Sequence, residues 1–130
     1  MKAQCQCGLL SVDAAGPSLA VAMCHCTACQ RRTGHPYGVL AYYPAAALTI
    51  AGEATRYVRT ADSGAEFETF FCPCCGSTVY ARAGKHPELI GVAWARSRTR
   101  PARRRSGRCG RRRSTTGSPR PTRSRTSHVE

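Results

Sequence analysis

Short stretches of alternating apolar and polar residues, broken by turn residues, run from the first residue to about residue 94. Seven of them are rich in aromatic and β-branched side chains and predict strands: Leu9–Val12, Leu19–Met23, Tyr37–Tyr43, Thr55–Arg59, Glu66–Phe71, Thr78–Arg82 and Leu89–Trp94. Gly16-Pro17, Ala51-Gly52, Ser63-Gly64 and Gly84-Lys85 supply turns between them. Two short helical pieces are expected, Thr27–Arg32 and Pro44–Ala47, the latter because proline suits a first helical turn. The body is therefore predicted to be mainly β. Tyr37, Tyr42, Tyr43 and Trp94 are read as core, and Thr33 with Gly34 as the end of the first helix.

The pattern stops at Trp94–Arg96. Of the 35 residues from 96 to 130, only Ala102, Cys109 and Val129 are hydrophobic, and thirteen are arginine. A segment so poor in apolar surface cannot offset the entropy of ordering it, so a disordered tail is expected. The division predicted is a domain over 1–95 and an Arg-rich low-complexity tail over 96–130. The formal net charge of +13 follows the same division, +1 in the first part and +12 in the second. Three readings of the tail stand side by side. Arg103-Arg104-Arg105 and Arg111-Arg112-Arg113 would suit nucleic-acid phosphates. A solvated tail needs no partner. A shifted reading frame in a GC-rich gene also gives such a composition. The remaining expectations come from what is missing. No apolar run is long enough to span a bilayer, which excludes an integral membrane protein. The first residues lack the apolar core of a secretory signal, so the cytoplasm is the expected compartment. There, paired cysteines bind metal more often than they form disulfides.

Eight of the nine cysteines fall in three clusters in the body. Cys72-Pro73-Cys74-Cys75-Gly76 has the form of a metal knuckle, with proline and glycine folding the backbone round the ion. A knuckle supplies two thiolates, and Cys5 and Cys7 complement it, since alternate residues of a strand point to one side. One closed structural zinc site is proposed on Cys5, Cys7, Cys72 and Cys75. Disulfides or unpaired buried thiols are the alternative. Cys74 could replace Cys72 or Cys75, or be an exposed thiol without function; Cys109 is assigned nothing. The middle cluster, Cys24-His25-Cys26-Thr27-Ala28-Cys29, offers three thiolates without an evident fourth. Three protein ligands and an open position are typical of a catalytic zinc. His25 or His35 as a fourth ligand, or a redox-sensitive thiol cluster, remain alternatives.

C-x-C-G at Cys5–Gly8, C-H-C-x-x-C-Q-R-R-T-G at Cys24–Gly34 and F-C-P-x-C-G-S around Phe71–Ser77 together resemble the family of glutathione-dependent formaldehyde-activating enzymes, which includes centromere protein V. The resemblance covers roughly residues 3–94. It implies a mainly β fold of small stacked antiparallel sheets organised around a structural zinc. It also implies two zincs per chain, on the cysteine sets already derived. The implied activity is carbon–sulfur lyase or synthase chemistry: glutathione condenses with formaldehyde to S-(hydroxymethyl)glutathione, or is released from it. Two departures stand out. Cys74 replaces a larger polar or basic residue, and the arginine tail replaces a Phe- and Pro-containing stretch and a further strand.

Sulfur-rich ligation weakens zinc as an acid towards water and suits it to a further thiolate. A small thiol such as glutathione could therefore be ionised at the open position and add to an aldehyde. Arg31 and Arg32 follow the third ligand and suit a substrate carboxylate. His25 is the candidate to shuttle the proton. The competing function is a non-enzymatic zinc module that binds nucleic acid or protein through its basic tail. The body is nearly neutral and shows no stacking pattern for nucleic acid.

Overall fold

The computed structural model describes residues 1–94, so every reading of the tail concerns residues outside the described part. In chain order the elements are β1 (Lys2–Gln4), β2 (Ser11–Ala14), β3 (Ala20–Cys24), α1 (Thr27–Thr33), β4 (Gly38–Pro44), a 3-10 turn at Ala45–Ala47, β5 (Leu48–Ala51), β6 (Thr55–Thr60), β7 (Glu66–Phe71), β8 (Thr78–Ala83) and β9 (Leu89–Ala93). The mainly β expectation holds, and β4, β6, β7, β8 and β9 lie where the pattern placed them. The first run is displaced: Leu9 and Leu10 belong to the turn before β2. Two strands went unread, β1 and β5. β1 is three residues long, and in β5 only Leu48 is even half-buried, so neither carries an alternation to recognise.

The strands form two antiparallel sheets. One has three strands in the order β1-β2-β5; the other has six, in the order β3-β4-β9-β8-β7-β6. In antiparallel ladders, directly opposed residues share a face. Register therefore defines the two faces of the large sheet. Ala41, Val92, Tyr80 and Phe70 are opposed in succession and form one face. The small sheet packs there, joining Ala3, Leu10, Val12 and Ala14 to Ala41, Tyr43, Tyr80, Ile90 and Val92 in a single core. Phe70 and Tyr80 stack with ring centroids 4.5 Å apart.

The opposite face carries Gly38 and Leu40 of β4 and Tyr57, Thr69 and Ala81 further along the ladder. α1 packs over its β4 end. A bulge in β8 at Val79 lets Thr78 oppose Phe71 and joins both to this second face. β3 is an edge strand, and Leu19 just before it and Val21 and Met23 along it are exposed. No helix among the described residues is long and apolar enough to cross a membrane.

Candidate metal centres

Cys5 and Cys7 lie in the turn that follows β1, not on a strand as the alternation argument assumed. The correction changes the geometry but keeps the pair. The Cys5 N–H donates to Leu10 O at 2.9 Å and the Leu10 N–H donates to Cys5 Sγ at 3.2 Å. Cys72 heads a similar turn: its N–H donates to Ser77 O at 3.0 Å, and the Gly76 N–H closes the loop on Cys72 O at 2.8 Å. Both turns end in a left-handed glycine, Gly8 at φ 80° and Gly76 at φ 73°. A side chain there would be strained. The turns are tied to each other where the Gln6 N–H donates to the Ser77 hydroxyl at 3.2 Å.

These two knuckles bring the Sγ atoms of Cys5, Cys7, Cys72 and Cys75 within 4.8 Å of one another. Cys5–Cys7 is 3.5 Å and Cys7–Cys72 is 3.6 Å. Zn–S bonds of about 2.3 Å in a tetrahedron place sulfurs about 3.8 Å apart, whereas a disulfide needs about 2.05 Å. The cage therefore has the dimensions for a metal and excludes disulfides among these four. Cys74 stays outside it, half-buried against the core. Electrostatics within the cage are those of like groups crowded together. Burial works against ionisation of Cys75, but hydrogen bonds from the Ser77 hydroxyl, the Ser77 N–H and the Cys7 N–H outweigh it and hold the thiol down at about 5. The Leu9 N–H favours the Cys7 thiolate, yet burial and the thiols of Cys5, Cys72 and Cys75 push Cys7 well up. A dication among the sulfurs would relieve that crowding.

The second cluster is built by α1. Cys26 is its N-cap, in extended conformation, and accepts the Cys29 N–H at 3.4 Å. Gly34 caps the other end, its N–H donating to Gln30 O, so Thr33 and Gly34 do end the helix. Cys24 enters from the last residue of β3, opposite Gly38. The Sγ atoms of Cys24, Cys26 and Cys29 lie within 4.8 Å of one another. Neither His25 nor His35 joins them, so the fourth-ligand alternatives find no support among the described residues. The two rings instead flank Tyr37, at 5.5 Å and 4.3 Å between centroids. The N–H of Cys29, together with the thiols of Cys24 and Cys29, lowers Cys26 to about 7. Burial, with the Cys24 and Cys26 thiols, raises Cys29 to about 11, against the pull of the neighbouring Arg32 guanidinium.

Arg32 occupies the space where Gly38 has no side chain: a Cβ there would come within 2.7 Å of Arg32 Nη2 and 3.5 Å of Cys29 Cβ. Its Nε is buried without an acceptor. Arg31 is exposed on the same turn. Two cavities adjoin this point. One, of about 540 Å³, runs from Arg32 past His35 and Tyr37 to Trp94; the other, of about 490 Å³, is lined by Cys29, Arg31 and Arg32 together with residues of β6, β7 and β8. Tyr37 and Trp94 thus line a cavity and are not core, and Trp94 is 47% exposed. Tyr43 is buried as expected.

The family model described as "Glutathione-dependent formaldehyde-activating enzyme" matches residues 1–106. The chain belongs to this family. The match includes all eight cysteines of the body, seven of them in the two sulfur sets, and continues twelve residues past the last described residue, Trp94. The fold is similar to a crystal structure of a Rhodobacter sphaeroides protein, with a TM-score of 0.61 and 23% identity over 78% of this chain and 91% of that one. No curated protein matches the chain.

Proposed function

We propose that the chain is a zinc-dependent carbon–sulfur lyase or synthase of the glutathione-dependent formaldehyde-activating type. Its thiol substrate is glutathione or a close relative, and its electrophile an aldehyde such as formaldehyde. The observation that carries the reading is the converging trio Cys24, Cys26 and Cys29 around the start of α1, with Cys29 lining a cavity shared with Arg31 and Arg32. In this reading two zincs are held per chain. Cys5, Cys7, Cys72 and Cys75 enclose one fully; Cys24, Cys26 and Cys29 hold the other and leave a position for substrate. When bound there, zinc supplies a soft Lewis-acid position at which a thiol is acidified.

The chain's own side chains do the rest. Three thiolates around a dication leave one negative charge, and Arg32, fixed against Gly38 beside Cys29, offsets it. Arg31 and Arg32 bind a substrate carboxylate. His25, exposed beside Tyr37, accepts the thiol proton and returns it to the aldehyde oxygen as the carbon–sulfur bond forms. In the reverse direction the same proton is taken from the hydroxymethyl group as that bond breaks. The protein acts in the cytoplasm through a catalytic domain over 1–95, with residues 96–130 as an appended tail.

Exchange NMR tests the reading. The zinc-loaded full chain should speed interconversion of glutathione with formaldehyde and S-(hydroxymethyl)glutathione above the uncatalysed rate, and Cys26→Ser should abolish the gain. No acceleration by the wild type, or full acceleration by Cys26→Ser, would remove it.

A further inference from the structure

The two edges of the large sheet, β3 and β6, are built differently. β6 carries Arg56 and Arg59, and charged side chains on an edge deter a further strand from pairing there. β3 has no such guard. It holds neither charge nor proline, and the eleven residues from Ala14 to Cys24 include no charged side chain. All five of its residues are exposed. Among the described residues it pairs with β4 alone, so its other side offers backbone N–H and C=O groups to a further strand.

Register adds a second observation. Val21 opposes Ala41 and Met23 opposes Val39, which puts both on the face that carries the common core. Ala41 is fully buried there, yet Val21 is 52% exposed and Met23 57%. The core face thus ends in an open apolar margin along an unguarded edge. The rest of this chain is ill suited to close it: residues 95–130 contain no Leu, Ile, Phe, Met, Trp or Tyr, and thirteen arginines. A second β3 is well suited. Two antiparallel copies related by a two-fold axis at Ala22 set Ala22 against itself, Val21 against Met23 of the second copy, and Ala20 against its Cys24. Every opposed pair is uncharged, and the Val21–Met23 pair forms twice, once on each side of the axis.

We propose that the protein forms a two-fold homodimer through β3, which joins the six-stranded sheets of two copies into one continuous sheet. The same register lays Ala20 of the second copy opposite Cys24, the exposed member of its sulfur trio, and so covers the strand end of that cluster. A five-residue strand is only about 17 Å long. The area it covers falls short of the roughly 800 Å² per partner of a standard interface, which places the dimer in the weak, reversible class.

Sedimentation velocity on the zinc-loaded full chain, under reducing conditions and over about 1–200 µM, covers the affinities of that class. The wild type should show a reversible monomer–dimer equilibrium. The double substitution Val21→Lys with Met23→Lys, and the double substitution Val21→Glu with Met23→Glu, should each give monomer throughout, because like charges then oppose each other across the axis. Both should melt at the temperature of the wild-type monomer, since the altered side chains are exposed. Mixed in equal amounts, the two variants set lysine against glutamate and should dimerise again. Should either fold poorly, Ala22→Lys alone puts two lysines face to face at the axis and reads the same loss. A wild type that stays monomeric at every concentration, or a lysine variant that dimerises as well as the wild type, overturns the interface. A mixture of the folded variants that stays monomeric overturns the antiparallel self-pairing, and growth beyond the dimer overturns the two-fold closure.

Discussion

Serine in place of Cys75 and serine in place of Cys26 should have opposite consequences, although each removes one sulfur from one cluster. The cage of Cys5, Cys7, Cys72 and Cys75 ties the turn after β1 to the turn after β7, and Cys5 and Cys72 are 2% and 1% exposed within the core. A structural zinc in such a setting contributes of order 10 kcal/mol to folding. A domain of about 100 residues has only roughly 5–15 kcal/mol of net stability. If one missing thiolate forfeits about a third of the metal's contribution, the loss is about 3–4 kcal/mol. At about 4–8 °C per kcal/mol the midpoint falls by about 12–30 °C. Cys26 is different, because serine is a preferred N-cap. Cys26→Ser can still accept the Cys29 N–H and hold the start of α1 while losing its metal. Its melting temperature should stay within a few degrees of wild type. Thermal circular dichroism gives the midpoints, and plasma emission the zinc per chain: about two in wild type and one in Cys26→Ser. A Cys75→Ser chain that melts within about 3 °C of wild type would refute the structural role of the cage. So would a Cys26→Ser chain as unstable as Cys75→Ser.

Three further outcomes are expected. Ser77→Ala removes the hydroxyl that accepts from Gln6 and bonds with Cys75, and should cost about 1–2 kcal/mol and about 10–100-fold in affinity for the caged zinc, measured by competition with a chelating dye. Gly38→Ala should leave the melting temperature nearly unchanged, because the Cβ clashes with the far end of the Arg32 side chain and stands at ordinary contact distance from Cys29 and Thr33, yet raise the KM for glutathione by displacing that guanidinium from Cys29. In a chain that keeps the caged ion but has lost the other to mild chelation, Cys26 should alkylate first. Its thiol is lowered to about 7, so the reactive thiolate is about half formed at neutral pH and lost as pH falls, while Cys29, raised to about 11, should resist until strongly alkaline pH. Mass spectrometry of iodoacetamide-treated chain across pH checks the order, and equal labelling of the two at pH 7 would contradict it.

The sulfur sets were legible because ligand spacing is local: Cys72 and Cys75, or Cys26 and Cys29, are brought together by one turn of chain. The family motifs were legible for the same reason. Strand β7 was readable to the residue, since Glu66–Phe71 alternates and is bounded by turns. The turn at Cys5–Cys7 was mistaken for strand because a C-x-C pair looks alike in either. The cavity floor could not be read at all. Tyr57, Arg59, Phe71 and Thr78 come alongside Cys29 through ladder register and the bulge at Val79, and neither leaves a mark in local sequence. Trp94 reads as core in the sequence, but it lines a cavity and is half exposed.

The cysteines that gather round each centre sit on turns, at the end of an edge strand and at the start of a helix, while the floor of the cavity is written on the interior strands and on β6. These two sets of positions can vary independently. Changing residues 57, 59, 69 and 71 would retune what the pocket accepts without disturbing a single sulfur, so relatives that keep all seven cysteines can be expected to diverge in the molecules they handle.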